Sequence, residues 1–95
     1  IEIPMPRPKR RRRISFEPDV TFFKPRGIPM SVLQEVEIFP DELEALKLHD
    51  VDGLSQTEAA EKMGISQPTF TRIINQAYHK ISKALIKGWA IRLDR

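Results

Sequence analysis

The strongest candidate for chemistry in this sequence is a row of polar and basic side chains along one side of a predicted helix. Successive residues of an α-helix are about 100° apart, and at this spacing the row points away from the apolar stripe of the same helix. Arginine can pair bidentately with guanine, asparagine or glutamine with adenine, and the threonine methyl group can contact thymine. This polar face comprises Pro68, Arg72, Asn75, His79 and Lys83, flanked by Gln67, Thr71 and Gln76 and preceded by Ser66 and Thr69.

The charge of this helix favours a polyanion as its partner. No acidic residue occurs between Ser66 and Arg92, whereas a solvated helix of this length would ordinarily include several glutamates. The first turns of the helix are therefore expected to enter a major groove, with Lys80, Lys83 and Lys87 nearer the phosphates. The alternative is an ordinary helical hairpin that has no nucleic-acid role.

A second basic element lies at the N-terminus, where Arg10, Arg11, Arg12 and Arg13 are consecutive. Such arginine runs serve as minor-groove arms, RNA contacts or general polyanion clamps. Three prolines and the mutual repulsion of the basic residues predict that residues 1–13 form a flexible basic arm. Because Met5 begins a sequence typical of a natural start, residues 1–4 are interpreted as an addition before the native chain. The basic residues are not followed by the apolar run of a secretory signal.

Charge is segregated along the chain, although the net charge is only +3. Residues 1–13 contain six basic residues and one acid, and residues 66–95 again contain six and one. Between them, residues 31–65 contain nine acids and two lysines. This order predicts a polarised molecule with one face suited to a polyanion.

Two predicted helices joined by a short turn position the polar face. The second helix begins at Ser55, which forms a capping box with Glu58, and ends at Gly64. The third begins at Ser66 and runs to about Ile86. A three-residue connection that contains glycine predicts a helix-turn-helix. The restricted positions of that motif are occupied by Ala59, Ala60, Met63, Gly64, Ile65, Phe70 and Ile73.

The predicted fold is mainly α, a helix-turn-helix core with short β elements and the extended arm. Residues 14–39 form an irregular segment with short strands, and residues 40–95 form the helix-turn-helix domain with a C-terminal strand. Helical signals begin at Pro40, where Asp41 and Glu44 are predicted to form a capping box for the first helix. The predicted strands are Val20–Phe23, Glu35–Phe39 and Trp89–Leu93, and the second and third either complete the core or join two subunits. The apolar stripe of the third helix comprises Phe70, Ile73, Ile74, Ala77, Ile81, Ala84 and Leu85.

The sequence resembles a prokaryotic family, domain of unknown function 134, over residues 5–93. The similar segments are Met5–Met30, Asp41–Leu48, Gly53–Phe70 and Lys87–Leu93; the third reads Gly53-Leu-Ser-Gln-Thr-Glu-Ala-Ala-Glu-Lys-Met-Gly-Ile-Ser-Gln-Pro-Thr-Phe70. The resemblance implies a DNA-binding protein whose helix-turn-helix is similar to region four of sigma factors. It also implies a cytoplasmic location. Many members carry cysteines near the N-terminus. This chain lacks them, so the resemblance implies no redox or metal role for it.

The leading hypothesis is a sequence-specific DNA-binding transcription regulator that acts as a homodimer on double-stranded DNA, without a cofactor. One alternative is a sigma-like adaptor whose acidic middle, Glu35 to Glu61, docks on RNA polymerase. Another is RNA binding through the arginine arm. An enzyme is disfavoured because the sequence has no phosphate-binding glycine loop and no recognisable pairing of carboxylates or of Ser, His and Asp. The absence of cysteine excludes thiolate metal ligands, and no apolar run is long enough to span a membrane.

Overall fold

The computed structural model describes residues 13–94, which form three α-helices and a three-stranded sheet and are about half helical. The helices are α1 (Pro40–Leu46), α2 (Gln56–Met63) and α3 (Gln67–Lys87). The strands are β1 (Phe22–Phe23), β2 (Glu35–Ile38) and β3 (Ala90–Leu93). A 3-10 turn at Met30–Val32 precedes β2, and a π-helical turn at Lys47–Val51 continues α1.

The capping box predicted for α2 is confirmed. The Ser55 hydroxyl accepts a hydrogen bond from the backbone amide of Glu58 at 3.0 Å, and the Glu58 carboxylate accepts one from the amide of Ser55 at 2.9 Å. The bond from the Ser55 amide is the main reason why the pKa of Glu58 is lowered. Gly64 ends the helix at φ +70°, a left-handed conformation that glycine adopts without steric cost.

Helix α3 begins as predicted but does not bury the whole of its predicted stripe. Ser66 caps it and Gly88 ends it in a left-handed conformation. Ala84 is buried, but Leu85 is 72% exposed, so its assignment to the core is wrong. Helical periodicity identifies one side of a helix, whereas burial also requires a neighbouring element beside each turn. At this end of α3 only the side that carries Ala84 is covered.

The Asp41–Glu44 capping box predicted for α1 is wrong, although the predicted onset of helix at Pro40 is confirmed. The helix begins at Pro40, whose fixed φ suits the first helical position, and Phe39 is the capping residue. The backbone amide of Phe39 donates to the Glu42 carboxylate at 2.8 Å. Asp41 therefore lies inside the first turn, where it is buried. Glu44 does not cap the helix and instead contacts the N-terminal segment.

The sheet has the order β1-β3-β2, with β3 antiparallel to β1 and parallel to β2. All three strands are shorter than predicted, and they pair within one chain. In the register, Ile38 lies beside Leu93 and Glu37 beside Arg92. Arg92 contacts the carboxylates of Glu35 at 2.8 Å and Glu37 at 3.1 Å, and these contacts raise its pKa.

The main core lies where α1 and its π-helical turn meet α2 and α3. Phe70 is at its centre and is fully buried, as are Met63 and Ile74. The whole cluster consists of Ala45, Leu48, Ala59, Ala60, Met63, Ile65, Phe70, Ile73 and Ile74. Every apolar position predicted to lie between α2 and α3 is thus confirmed as buried.

The π-helical turn is tied to α3 by a side-chain contact. The Tyr78 hydroxyl donates to the Asp50 carboxylate, with distances of 2.8 and 2.9 Å to its two oxygens. Desolvation, followed by this hydrogen bond, raises the pKa of Tyr78 to about 12. The contact links α3 to the turn that follows α1.

Candidate functional site

The structure brings the predicted polar face together on the exposed side of α3. Most of its side chains are exposed; Thr69 and Thr71 are half-buried. The exposed members are Ser66, Gln67, Pro68, Arg72, Asn75, Gln76, His79 and Lys83. The face presents amides, an imidazole and cations, and α3 itself carries no acid.

The hydroxyl groups at the start of the face are engaged within the chain. The Ser66 hydroxyl caps α3 by accepting from the Thr69 amide at 3.3 Å, and it donates to the Thr69 hydroxyl at 3.0 Å. The Thr71 hydroxyl donates to the Gln56 side chain at 2.6 Å, which joins α3 to the first turn of α2. The Thr71 bond thus links the two helices, while Arg72 and Asn75 are exposed on α3.

Lys80, predicted to lie near the phosphates, is engaged within the domain. Its ammonium group donates to the Glu42 carboxylate and to the carbonyl of Glu37, both at 2.8 Å, and lies 4.0 Å from the centre of the Phe39 ring. The Glu42 side chain is only 2% exposed. A buried carboxylate requires a counter-charge, and Lys80 supplies it.

Phe39 is a site residue that sequence reasoning missed. A depression of about 570 Å³ on the α3 surface is lined by Phe39, Arg72, Asn75, Gln76, His79 and Lys80. The aromatic ring comes from the residue that caps α1, more than thirty positions before Arg72. Because only the tertiary fold brings it beside α3, no local pattern in the sequence indicated it.

Arg13 is held against the turn between α2 and α3, although it was predicted to belong to the flexible arm. Its backbone amide donates to the carbonyl of Met63 at 3.0 Å, and its guanidinium group is 3.5 Å from the carbonyl of Glu61. The carbonyl of Met63 is one of those that the end of a helix leaves without a partner in the helix, and the Arg13 amide satisfies it; the carbonyl of Glu61 also accepts from the Gly64 amide at 3.0 Å. Arg10, Arg11 and Arg12 lie outside the described residues.

Glu44 holds the segment that follows Arg13, a role that sequence reasoning also missed. Its carboxylate accepts from the amides of Ser15 at 3.1 Å and Phe16 at 2.9 Å, and from the Ser15 hydroxyl at 3.0 Å. Glu44 is only 3% exposed, so these bonds replace those that it would make with water. The basic arm is therefore joined to the domain at a defined place beside the start of α3.

We predict that two glycine substitutions distinguish the effect of backbone strain from the effect of displacing the Arg13 side chain. Gly64 and Gly88 both have φ close to +70°, so alanine at either position should cost roughly 1–2 kcal/mol of stability. A Cβ atom at Gly64 would lie 3.3 Å from Nε of Arg13, whereas one at Gly88 meets nothing within 4 Å. Only Gly64→Ala should therefore accelerate hydrogen exchange at the Arg13 amide. Equal exchange at Arg13 in Gly64→Ala and Gly88→Ala would contradict this placement of the guanidinium group.

Residues 13–94 contain neither a cluster of metal ligands nor a membrane-spanning helix. No group of three or more His, Asp or Glu side chains there is arranged to hold a metal ion. None of the helices in that range is both long and apolar enough to cross a membrane.

Comparison with known proteins identifies relatives along almost the whole chain. The chain is 53% identical over 90 residues to a UPF0251 protein of Thermoanaerobacter pseudethanolicus, covering 95% of this chain and 76% of that relative. It is 52% identical to a UPF0251 protein of Caldanaerobacter subterraneus, with the same coverage of both chains. A UPF0251 protein of Moorella thermoacetica is 49% identical over 95% of this chain, which spans 60% of that longer protein.

No solved structure matches the chain. The protein family described as "Protein of unknown function DUF134" matches residues 4–94. That match extends from the N-terminal basic residues through the polar face of α3 to the end of β3, and with the identities above it shows that the chain belongs to the DUF134 family.

Proposed function

We propose that the protein binds double-stranded DNA in a sequence-specific manner and regulates transcription, with α2 and α3 acting as a helix-turn-helix. The observation that carries the proposal is the polar face of α3, which is exposed and free of acids and follows a three-residue turn after α2. Arg72 and Asn75 project from it one turn apart, a spacing suited to the edges of neighbouring bases in a major groove.

Packing between α2 and α3 supports the assignment. Ala59 and Ala60 are almost fully buried in the contact with α3, and the Thr71–Gln56 hydrogen bond fixes the relative position of the two helices. Helix α3 has 21 residues and is therefore about 31 Å long. Its first half would occupy the groove, and Lys83 and Lys87 in its second half would lie near the backbone phosphates. Similarity to region four of sigma factors belongs to the same proposal.

The acidic middle of the chain favours DNA binding over the adaptor alternative. Of its nine carboxylates, at least seven are engaged within the chain, and four of these form ion pairs with Lys47, Lys80 or Arg92. These seven are Glu35, Glu37, Glu42, Glu44, Asp50, Asp52 and Glu58. These four ion pairs also offset part of the negative charge that would otherwise repel the DNA backbone.

The position of Arg13 favours a combined site over RNA binding by the arm alone. Arg13 contacts the turn that precedes α3, beside the proposed recognition helix. Arginines at that position can neutralise phosphates next to the occupied major groove or enter a minor groove. Independent RNA binding would instead persist when the polar face is altered.

A homodimer and a cytoplasmic location complete the proposal. One helix-turn-helix contacts few base pairs, and two copies on adjacent half-sites gain affinity by acting together. Selection from a random DNA pool tests specificity and symmetry at once: a palindromic consensus is expected. Light scattering of the protein, alone and bound to DNA that carries this consensus, measures the number of chains per DNA site. Two chains per site are expected.

The variant that tests the recognition helix is Arg72→Ala. It is expected to weaken binding to the selected site by roughly 1–3 kcal/mol, or about 5- to 150-fold in Kd, and to relax the preference at one base position. Arg26→Ala is the matched control, because it removes the same charge from an exposed turn outside α3. Fluorescence anisotropy on matched and single-substituted sites measures both effects. Equal losses in the two variants would show that Arg72 contributes only charge.

A further inference from the structure

An apolar groove lies on a part of the surface that does not include the polar face of α3. Its volume is about 520 Å³, within the range of small-molecule sites in proteins. Its lining combines residues from α1, α3 and the sheet with the segment before β1, and Asp19 is the only charged side chain among them. The apolar lining consists of Phe16, Pro18, Val20, Phe23, Ile38, Leu43, Leu46, Ile81, Ile91 and Leu93.

One wall of the groove is the segment before β1, in which Pro18 is buried and both ends are bonded to the rest of the domain. At one end Glu44 binds the backbone of Ser15 and Phe16; at the other, Phe22 and Phe23 pair with β3. Between these attachments Val20 is 57% exposed. The opposite side is packed, since Ile38 is 1% exposed. Large apolar side chains are thus left open to solvent around a preformed recess.

We propose that this groove binds a small hydrophobic molecule, neutral or positively charged, and that the bound molecule stabilises the docking of residues 15–23. Apolar contact with the walls supplies the affinity. Asp19 sets the charge preference, because a carboxylate at the site repels an anionic ligand and attracts a cationic one. The ligand bridges the segment and the packed floor, so it stabilises their association by mass action. The proposal does not depend on whether α3 binds DNA.

The first experiment compares two fluorescent probes of similar shape in the absence of DNA. N-phenyl-1-naphthylamine is neutral, whereas 1-anilinonaphthalene-8-sulfonate has a similar aromatic body and a negative charge. The neutral probe is expected to bind saturably with one molecule per chain and more tightly than the sulfonate. Asp19→Asn should reduce the difference between the two affinities. Absence of saturable binding, or an unchanged difference in Asp19→Asn, would overturn the proposal.

A second measurement locates the bound probe. Leu43→Trp adds volume inside the groove and is expected to weaken binding of the neutral probe by about tenfold. Val32→Trp is the control, because Val32 is 70% exposed and lies outside the groove. In the unaltered protein, saturation with the neutral probe should slow hydrogen exchange at the amides of Ser15 and Phe16.

Two results would place the probe elsewhere and overturn the proposal: equal affinity in folded Leu43→Trp and Val32→Trp, or unchanged exchange at Ser15 and Phe16. Should Leu43→Trp fail to fold, as judged by circular dichroism, the exchange measurement and the Asp19→Asn comparison decide alone. Probe binding that increases as the protein dissociates on dilution would show that a second copy of the chain covers the groove, and would likewise overturn it.

Discussion

Replacement of Lys80 by methionine is expected to lower the free energy of unfolding by about 3 kcal/mol. The substitution keeps most of the side-chain volume but removes the ammonium group that lies 2.8 Å from the Glu42 carboxylate. Glu42 would remain buried with an unpaired charge, and its Oε2 atom already has no hydrogen-bond partner among residues 13–94. The carbonyl of Glu37 would also lose its bond from Lys80. Truncating one partner of a buried ion pair is costly because the charge that remains is unsolvated.

Urea unfolding followed by circular dichroism measures this loss, and two variants identify its cause. Lys83→Met removes an equal charge three positions along α3, at a residue that is exposed, and should change the unfolding free energy by less than about 0.5 kcal/mol. The double variant Glu42→Gln, Lys80→Met should recover part of the loss, because no buried charge remains. Similar losses for Lys80→Met and Lys83→Met would contradict the assigned pairing. A weaker salt dependence of DNA binding in Lys80→Met than in the unaltered protein would support the predicted contact between Lys80 and a phosphate.

The features that sequence reasoning predicted correctly are those that depend on neighbouring residues. The caps of α2 and α3 are determined within four positions, since Ser55 bonds Glu58 and Ser66 bonds Thr69. Gly64 and Gly88 end helices because the chain must turn left-handed there. The alternation of apolar and polar residues on α3 likewise depends only on helical geometry, so the polar face could be assigned from the amino-acid sequence alone.

The features that were missed depend on partners distant in the sequence. Glu44 bonds Ser15 across 29 positions, Lys80 bonds Glu42 across 38, and Arg13 reaches Met63 across 50. Charge counts treated Lys80 and Arg13 as available for a polyanion, although a tertiary partner engages each of them. Periodicity failed at Leu85 for a related reason, because it does not tell which turns of α3 have a neighbour. On α3 the structure thus engages Lys80 within the domain; it adds Phe39 to the candidate site and holds Arg13, which was already predicted to contact DNA, at the turn before α3.

The anchoring of Arg13 alters how the arm should be tested. Removal of residues 1–13 would also remove the bond from the Arg13 amide to Met63, and any loss of affinity would then combine lost charge with a disturbed turn. Removal of residues 1–12 keeps that contact. A charge-only variant, in which Arg10, Arg11 and Arg12 become glutamine, keeps the chain length as well. The same three positions changed to lysine give the matched control, in which the charge is preserved.

Deleting residues 1–12 should weaken binding to matched and scrambled DNA alike and should leave the preferred bases unchanged. Each phosphate contact that is lost reduces the slope of log K against log salt concentration by about 0.9, so three arginines at phosphates predict a decrease of about 2.7. The glutamine variant should reproduce most of this decrease, and the lysine variant should retain the original slope. Titrations at several salt concentrations on both kinds of site measure these quantities. An unchanged slope would show that the arginines do not touch DNA. Loss of the consensus sequence would show that the arm contacts bases, because neutralisation of phosphates is independent of sequence. The polar face of α3 would then contribute less to specificity than the positions of Arg72 and Asn75 suggest.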